Sequence, residues 1–282
     1  CIQIECIMRK VIGLILLAIL WGRYLYAVEF PQVIWLYSSQ TAKKNVINRF
    51  DSCLVSHGVE THHFPLHLNN QNTCLESLTD SLHLYLTSQI FTRNKNLILF
   101  PVEECTYIAM KEAVSNKNVI MLFALSGVFL NGSDYLYNKV SLAENIKREN
   151  HQVVDVDKTG YLRNVFQIIQ KVKFEKKPKK GKYLTKAEFL FFTNSLARSF
   201  ARFDSGQILQ QMKCPIYAIY TNQDLSWDFL SHQEFLQCQL NQTDILYETL
   251  GPMQYSVDEQ KVGVFDFLIN KILKFYDNVY EE

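Results

Sequence analysis

Asn96-Leu97-Ile98-Leu99-Phe100 runs directly into Pro101-Val102-Glu103-Glu104-Cys105, and the reading of this stretch decides the fold. Leu97 to Phe100 shows no alternation of apolar and polar residues, so both faces of the strand it forms must be buried. That is the pattern of a strand inside a parallel sheet covered on two sides. A helical pattern follows from Glu103 to Ser115. The same rhythm extends outward in both directions. Upstream, Gln32 to Tyr37 (QVIWLY) is an apolar strand, and from Thr41 to His57 the residues Val46, Ile47, Phe50 and Leu54 recur at helical spacing until Gly58 closes the helix. Val59 to Pro65 is extended and Thr73 to Thr92 helical. Downstream come strands at Val119 to Ala124, Ile216 to Thr221 and Ile245 to Leu250, a helix at Ser231 to Leu240 and a closing amphipathic helix at Val257 to Tyr276. Strands alternating with helices specify an α/β, three-layer αβα sandwich around a mostly parallel central sheet.

Between Phe129 and Phe203 the alternation stops. The segment is helical and polar and carries Lys171, Lys173, Lys176, Lys177, Lys179, Lys180, Lys182 and Lys186. It reads as a helical, Lys-rich cap insertion over residues 129–203, with residues 28–128 and 204–282 forming the core. The lysine run is expected to be a solvated loop; contact with acidic lipid would need an adjacent apolar face, at which Phe189 to Phe192 hints.

Met8-Arg9-Lys10, the apolar run Val11 to Gly22 and the small residue Ala27 form a secretory signal peptide, with residues 1–7 as leader. The expected location is therefore secreted or periplasmic, the alternative being a membrane anchor through the same uncleaved segment. The cysteines beyond it are Cys53, Cys74, Cys105, Cys214 and Cys238, an odd number without a C-x-x-C pair, so neither a disulfide framework nor a zinc knuckle is implied. Lys plus Arg total 29 against 28 Asp plus Glu, which excludes a nucleic-acid binder dependent on neutralising many phosphates.

Phe203-Asp204-Ser205-Gly206-Gln207-Ile208-Leu209, then Met212-Lys213-Cys214-Pro215 entering Ile216 to Tyr220, then Asn222-Gln223-Asp224, resembles the late portion of an α/β-hydrolase. The likeness is to the secreted esterase, lysophospholipase and peptidase-like branch, and the order of elements agrees over about residues 31–276. The resemblance implies a nucleophile on a tight G-x-S-x-G turn between a buried strand and a helix. It places Val102 at the serine position and Phe100 and Glu104 at the glycine positions. It implies Asp224 as the catalytic acid and puts Tyr255, in Leu250-Gly251-Pro252-Met253-Gln254-Tyr255, where the histidine base should stand. The histidines are 57, 62, 63, 67, 83, 151 and 232, and none follows residue 232. Where the oxyanion hole should open, the chain has Tyr37-Ser38-Ser39 without glycine; Tyr37, Ser38 and Glu103 are expected on the rim of the binding cleft.

Other residues offer substitutes of lesser fit. Cys105 opens the helix after the turn and gains some activation from the helix dipole. Ser126 follows a strand. His63 and His67 are candidates to share a metal with Glu103, whereas His62 and His63 alternate faces, and solvent-exposed rim histidines are the commoner case. His232 lies close after Asp224 on an expected helix. No cofactor or metal is expected. The reading is a secreted hydrolase-like scaffold that has lost catalysis and is retained for binding a small ligand or protein partner; the alternative is an active serine-type hydrolase acting on carboxylic esters or small peptides. Only Val28 to Pro31 precede the first strand beyond the signal segment, so an open sheet edge and a dimer are further expectations.

Overall fold

A computed structural model describes residues 32–39, 44–56, 59–68, 73–88, 96–149, 157–221, 235 and 245–250. Every residue of β3 (Leu97–Pro101) is buried. Around it lie β1 (Gln32–Ser38), α1 (Lys44–Ser56), β2 (Thr61–Leu66), α2 (Leu75–Leu86), α3 (Cys105–Ser115), β4 (Val119–Leu125), β5 (Ile216–Thr221) and β6 (Ile245–Leu250). The sheet order is β2-β1-β3-β4-β5-β6 with every pairing parallel. The chain first builds outward from β1 to β2, then crosses back to β3 and builds the other way. The reversal lies between β1 and β3, and in open α/β sheets the crevice at the carboxyl ends of such strands is where ligands bind. The three-layer αβα sandwich is thus observed.

Boundaries differ from expectation where backbone geometry intervenes. The helix expected from Glu103 begins at Cys105, because Glu103 and Glu104 are used in the turn. β4 runs one residue further, to Leu125. Pro65 lies within β2, which is tolerated because β2 is the outermost described strand on that side and a proline there removes no ladder bond from a central strand.

Between β4 and β5 the chain forms α4 (Gly132–Glu149), α5 (Lys158–Lys173), α6 (Lys186–Thr193), α7 (Ser195–Arg202) and the short α8 (Ser205–Leu209). This stretch is less polar inside than its lysines suggest. Val165, Ile168, Ile169 and Val172 recur at helical spacing and bury one stripe of α5. With Phe192, Leu196, Phe200 and Phe203 they join the same apolar cluster as Leu97, Leu99 and Leu122 of the sheet. Side chains satisfy the helix starts: Asp157 accepts from the Thr159 amide, Asn194 from Ala197 and Asp204 from Gln207, while Thr185 and Glu188 form a reciprocal capping box. Lys176, Lys177, Lys179 and Lys180 are exposed, as a solvated loop requires. Tyr107, fully buried in α3, stacks obliquely on Phe203 at 4.5 Å and donates from its hydroxyl to the Leu130 carbonyl at 2.8 Å.

Residues 1–27, the expected closing helix Val257–Tyr276 and, apart from Phe235, the expected helix Ser231–Leu240 lie outside the described residues. Among the described residues no helix is long and apolar enough to cross a membrane.

Gly132 opens α4, and its amide donates to the Phe203 carbonyl at 2.9 Å. A Cβ there would stand 1.7 Å from the Phe200 carbonyl oxygen, a backbone atom with no freedom to swing away. Gly132→Ala is therefore expected to destabilise the fold by about 1–3 kcal/mol, the usual cost of overpacking. Urea unfolding measures it, and an unchanged midpoint would rule out the close approach.

Candidate functional site

The strand-to-helix turn after β3 is built by hydrogen bonds from both sides. The Val102 amide donates to the Leu36 carbonyl of β1 at 2.8 Å, and the Glu103 amide to the Leu125 carbonyl of β4 at 3.1 Å. Val102 is 1 % exposed and forms a parallel bridge with Leu125, so it remains part of the extended ladder, where a β-branched side chain is comfortable. The left-handed backbone falls on Glu103, at φ 55°. The apex of the turn accordingly stands one residue beyond Val102, which corrects the expected register: Glu103 occupies the apex, and Pro101 and Cys105 take the flanking positions. A non-glycine residue in this conformation costs of order 1–3 kcal/mol. The Thr106 hydroxyl donates to the Glu103 carbonyl at 2.7 Å and closes the first turn of α3.

Cys105 is fully buried. Burial, reinforced by the charges of Glu104 and Glu103, pushes its thiol well above the ordinary range, the reverse of the activation expected from the helix dipole. Ser126, at the end of β4, is also buried and left-handed, at φ 50°. Tyr37 and Ser38 stand half-buried at the end of β1. The Ser39 amide donates to the Leu66 carbonyl of β2 at 3.0 Å, so this backbone continues its pairing with β2. Burial and the nearby Asp51 charge raise the Tyr37 hydroxyl above its usual value.

The histidines of β2 face carboxylates. His62 Nε2 lies 3.0 Å from Glu60 Oε1, and His63 Nε2 lies 3.3 Å from Asp51 Oδ2. Asp51 also accepts from the Trp35 indole at 3.1 Å. His67 is exposed beyond β2. No group of three or more potential metal ligands occurs among the described residues, so the structure does not bring His63, His67 and Glu103 together as a metal site. Asp224, His232 and Tyr255 lie outside the described residues.

A second constellation escaped sequence reasoning. Glu104 does not cap α3 with its side chain. Its Oε1 accepts from the Tyr135 hydroxyl at 2.5 Å and from the Lys139 ammonium, and Lys139 also donates to the Tyr135 oxygen at 3.0 Å. Burial alone would raise the Glu104 carboxyl, but the Lys139 charge and these hydrogen bonds outweigh it and hold the carboxyl below its usual range. The three residues stand at one wall of a cavity of about 580 Å³. Tyr135, Leu136, Lys139, Val140, Ala143 and Glu144 form one stripe of α4, three or four residues apart, along one wall. Tyr161, Phe191, Phe192, Leu196 and Phe200 supply others. Phe191 is 56 % exposed and marks the mouth. The Tyr-x-x-x-Lys-x-x-x-x-Glu spacing was the available sequence signal, but it reads equally as an ordinary solvated helix face until Glu104 is brought opposite.

No family model matches the sequence, and no curated protein sequence matches it. Solved structures do. Est1E from Butyrivibrio proteoclasticus superposes with a TM-score of 0.55 at 12% identity, covering 87% of this chain and 88% of that one. VinJ gives 0.54 at 11%, covering 88% and 92%. The Pyrococcus furiosus esterase Pf2001 gives 0.53 at 10%, covering 88% and 82%. At these identities the likeness defines the fold. The chain has the α/β-hydrolase fold.

The Glu104–Lys139 pair makes a pH prediction. A carboxyl depressed in the folded state contributes stability that is full above the unfolded carboxylate pKa and is lost as pH falls through the lower folded value. Lys139→Met leaves the Glu104 charge without its ammonium partner. The variant should unfold at lower urea than the parent at neutral pH, and the gap should close below about pH 4, where the unfolded carboxyl titrates. A gap that stays constant with pH would show that Lys139 acts through packing alone.

Proposed function

We propose that this α/β-hydrolase-fold protein is an exported, noncatalytic binder, its scaffold retained while its hydrolytic chemistry has gone. The observation that carries the reading is the apex of the turn: the residue there is Glu103, its amide bonded to β4 and the Val102 amide before it bonded to β1, and no Ser, Thr or Cys occupies the position. Cys105, the nearest thiol, is buried and kept protonated. Among the described histidines, three contact carboxylates. His62 and His63 are engaged by Glu60 and Asp51. His83 contacts Glu112, two turns along α3 and about 10 Å from its start. Loss of the serine or histidine of a triad costs on the order of 10⁶ in turnover, about 8 kcal/mol, so what remains is a body that binds. Export rests on the cationic and apolar segment of residues 1–27.

A carboxylate apex could in principle attack carbon and form an ester on the protein. The test therefore has three arms: turnover of p-nitrophenyl esters, labelling by a fluorophosphonate, and mass spectrometry after incubation with a reactive epoxide. The expected result is no turnover above the Glu103→Gln variant, no labelled serine and no adduct on Glu103. A labelled serine would restore the serine-hydrolase alternative, and an adduct on Glu103 would establish a carboxylate nucleophile.

A further inference from the structure

Charge is distributed unevenly along the chain. Residues 158–186, which span α5 and the loop leading to α6, hold nine lysines and Arg163 against one carboxylate, Glu175. That is a net +9 in a chain whose total is +1, so all other residues together sum to −8. Glu175 is itself engaged by Arg202. α5 buries the stripe Val165, Ile168, Ile169 and Val172. Helical spacing puts Arg163, Phe166, Gln167, Gln170, Lys171 and its C-cap Phe174 on the opposite face, with Phe166 47 % and Phe174 62 % exposed. The loop is ordered alongside that face. α5 ends with the Lys176 amide donating to the Lys171 carbonyl at 2.7 Å and the Glu175 amide to the Val172 carbonyl at 3.1 Å, a Schellman arrangement with Glu175 left-handed at φ 56°. The chain then runs back along the helix with Pro178 and Leu184 buried. Gly181 lies against Asn164, where a Cβ would stand 1.7 Å from Oδ1, and the Tyr183 ring lies against Gly160. Lys171, Lys176, Lys177 and Lys179 are exposed, and none of them forms an ion pair among the described residues.

We propose that the outward face of α5 and the loop returning along it dock on an anionic lipid bilayer, the lysines against lipid phosphates and the Phe166 and Phe174 rings in the headgroup layer. This partner is separate from the turn after β3 and does not depend on whether that turn has kept any chemistry. The sign of the charge selects an anionic surface, and each ammonium held near such a surface strengthens binding by about fivefold. The two phenyl rings then choose among anionic surfaces. A bilayer accepts apolar side chains at headgroup depth, whereas a nucleic-acid duplex offers phosphates to the ammonium groups and nothing for the rings to enter. Because the loop backbone is already pinned to α5, docking has little chain left to order.

The test is co-sedimentation of the full chain with vesicles of phosphatidylcholine alone and of equal parts phosphatidylcholine and phosphatidylglycerol. The anionic vesicles should bind at least about tenfold tighter than the neutral ones, and the difference should collapse as salt rises from about 0.1 M to about 1 M, where the screening length falls from about 10 Å to about 3 Å. Lys176→Gln, Lys177→Gln and Lys179→Gln combined should weaken binding to the anionic vesicles by about a hundredfold, and Phe174→Ser alone by about tenfold. Lys44→Gln, Lys117→Gln and Lys213→Gln combined remove the same charge at exposed positions on other elements and should leave binding nearly unchanged. Equal binding to both kinds of vesicle, equal weakening by the two lysine triples, or binding indifferent to the first triple, as attachment through residues 1–27 would give, would each overturn the proposal. Heparin or duplex DNA bound as tightly as the anionic vesicles, with no effect of Phe174→Ser, would assign the surface to a soluble polyanion and overturn it as well. Should the first lysine triple fail to fold, Phe174→Ser and the salt titration still decide.

Discussion

Two backbone hydrogen bonds, from Val102 to the Leu36 carbonyl and from Glu103 to the Leu125 carbonyl, clamp the end of β3 between its neighbours. The rest of the arrangement depends on them. They keep Val102 in the ladder, force the left-handed turn onto Glu103 and aim α3 back over the sheet. A strained residue persists only where its surroundings overdetermine it, and here two strands and the Thr106 hydroxyl do so. In a hydrolase such strain presents a nucleophile. In this chain the same device presents a carboxylate, and the next residue, Glu104, turns its side chain towards α4.

That second step joins the turn to the helices between β4 and β5. Glu104, Tyr135 and Lys139 form a compact polar knot at the edge of an apolar cavity, with the Glu104 side chain 17% exposed. A buried carboxylate is costly unless paired and hydrogen-bonded, and both conditions are met. Around the knot, Tyr107 and its aromatic neighbours Phe200 and Phe203 merge the helices with the sheet into one apolar cluster. The cavity therefore has walls belonging to the same packed body as β3 and a polar corner held by hydrogen bonds among Glu104, Tyr135 and Lys139.

Much of the architecture was legible in the sequence because burial on both faces leaves an unmistakable mark: QVIWLY, NLILF and VIMLFA have no polar face to turn outward. Two things were not legible. The register of the turn after β3 depends on which residue leaves the ladder, and nothing in Pro101-Val102-Glu103-Glu104 chooses between Val102 and Glu103 until the carbonyls of Leu36 and Leu125 are in place. The Glu104–Lys139 pair spans 35 residues, beyond the reach of periodicity arguments. The lysine-rich look of residues 129–203 also concealed an apolar stripe, since Val165, the pair Ile168-Ile169 and Val172 are interrupted in the chain by Gln167, Gln170 and Lys171 and line up only on the helix.

The bonds at Gly132, together with those around Ser205, have a topological consequence. The Ser205 hydroxyl donates to the Leu130 carbonyl at 2.7 Å, the Ser205 amide to Asn131 at 3.0 Å, and the Gly132 amide to Phe203. Chain leaving the sheet and chain returning to it are thus tied at a neck. Because the entropy of closing a loop grows only logarithmically with its length, a tied neck makes the size of what lies beyond it nearly irrelevant to the placement of β5. The neck thus sets where β5 re-enters the sheet, while Val165, Phe192 and Phe200, which share the apolar cluster of Leu97 and Leu122, limit a change of the excursion to its outward-facing parts.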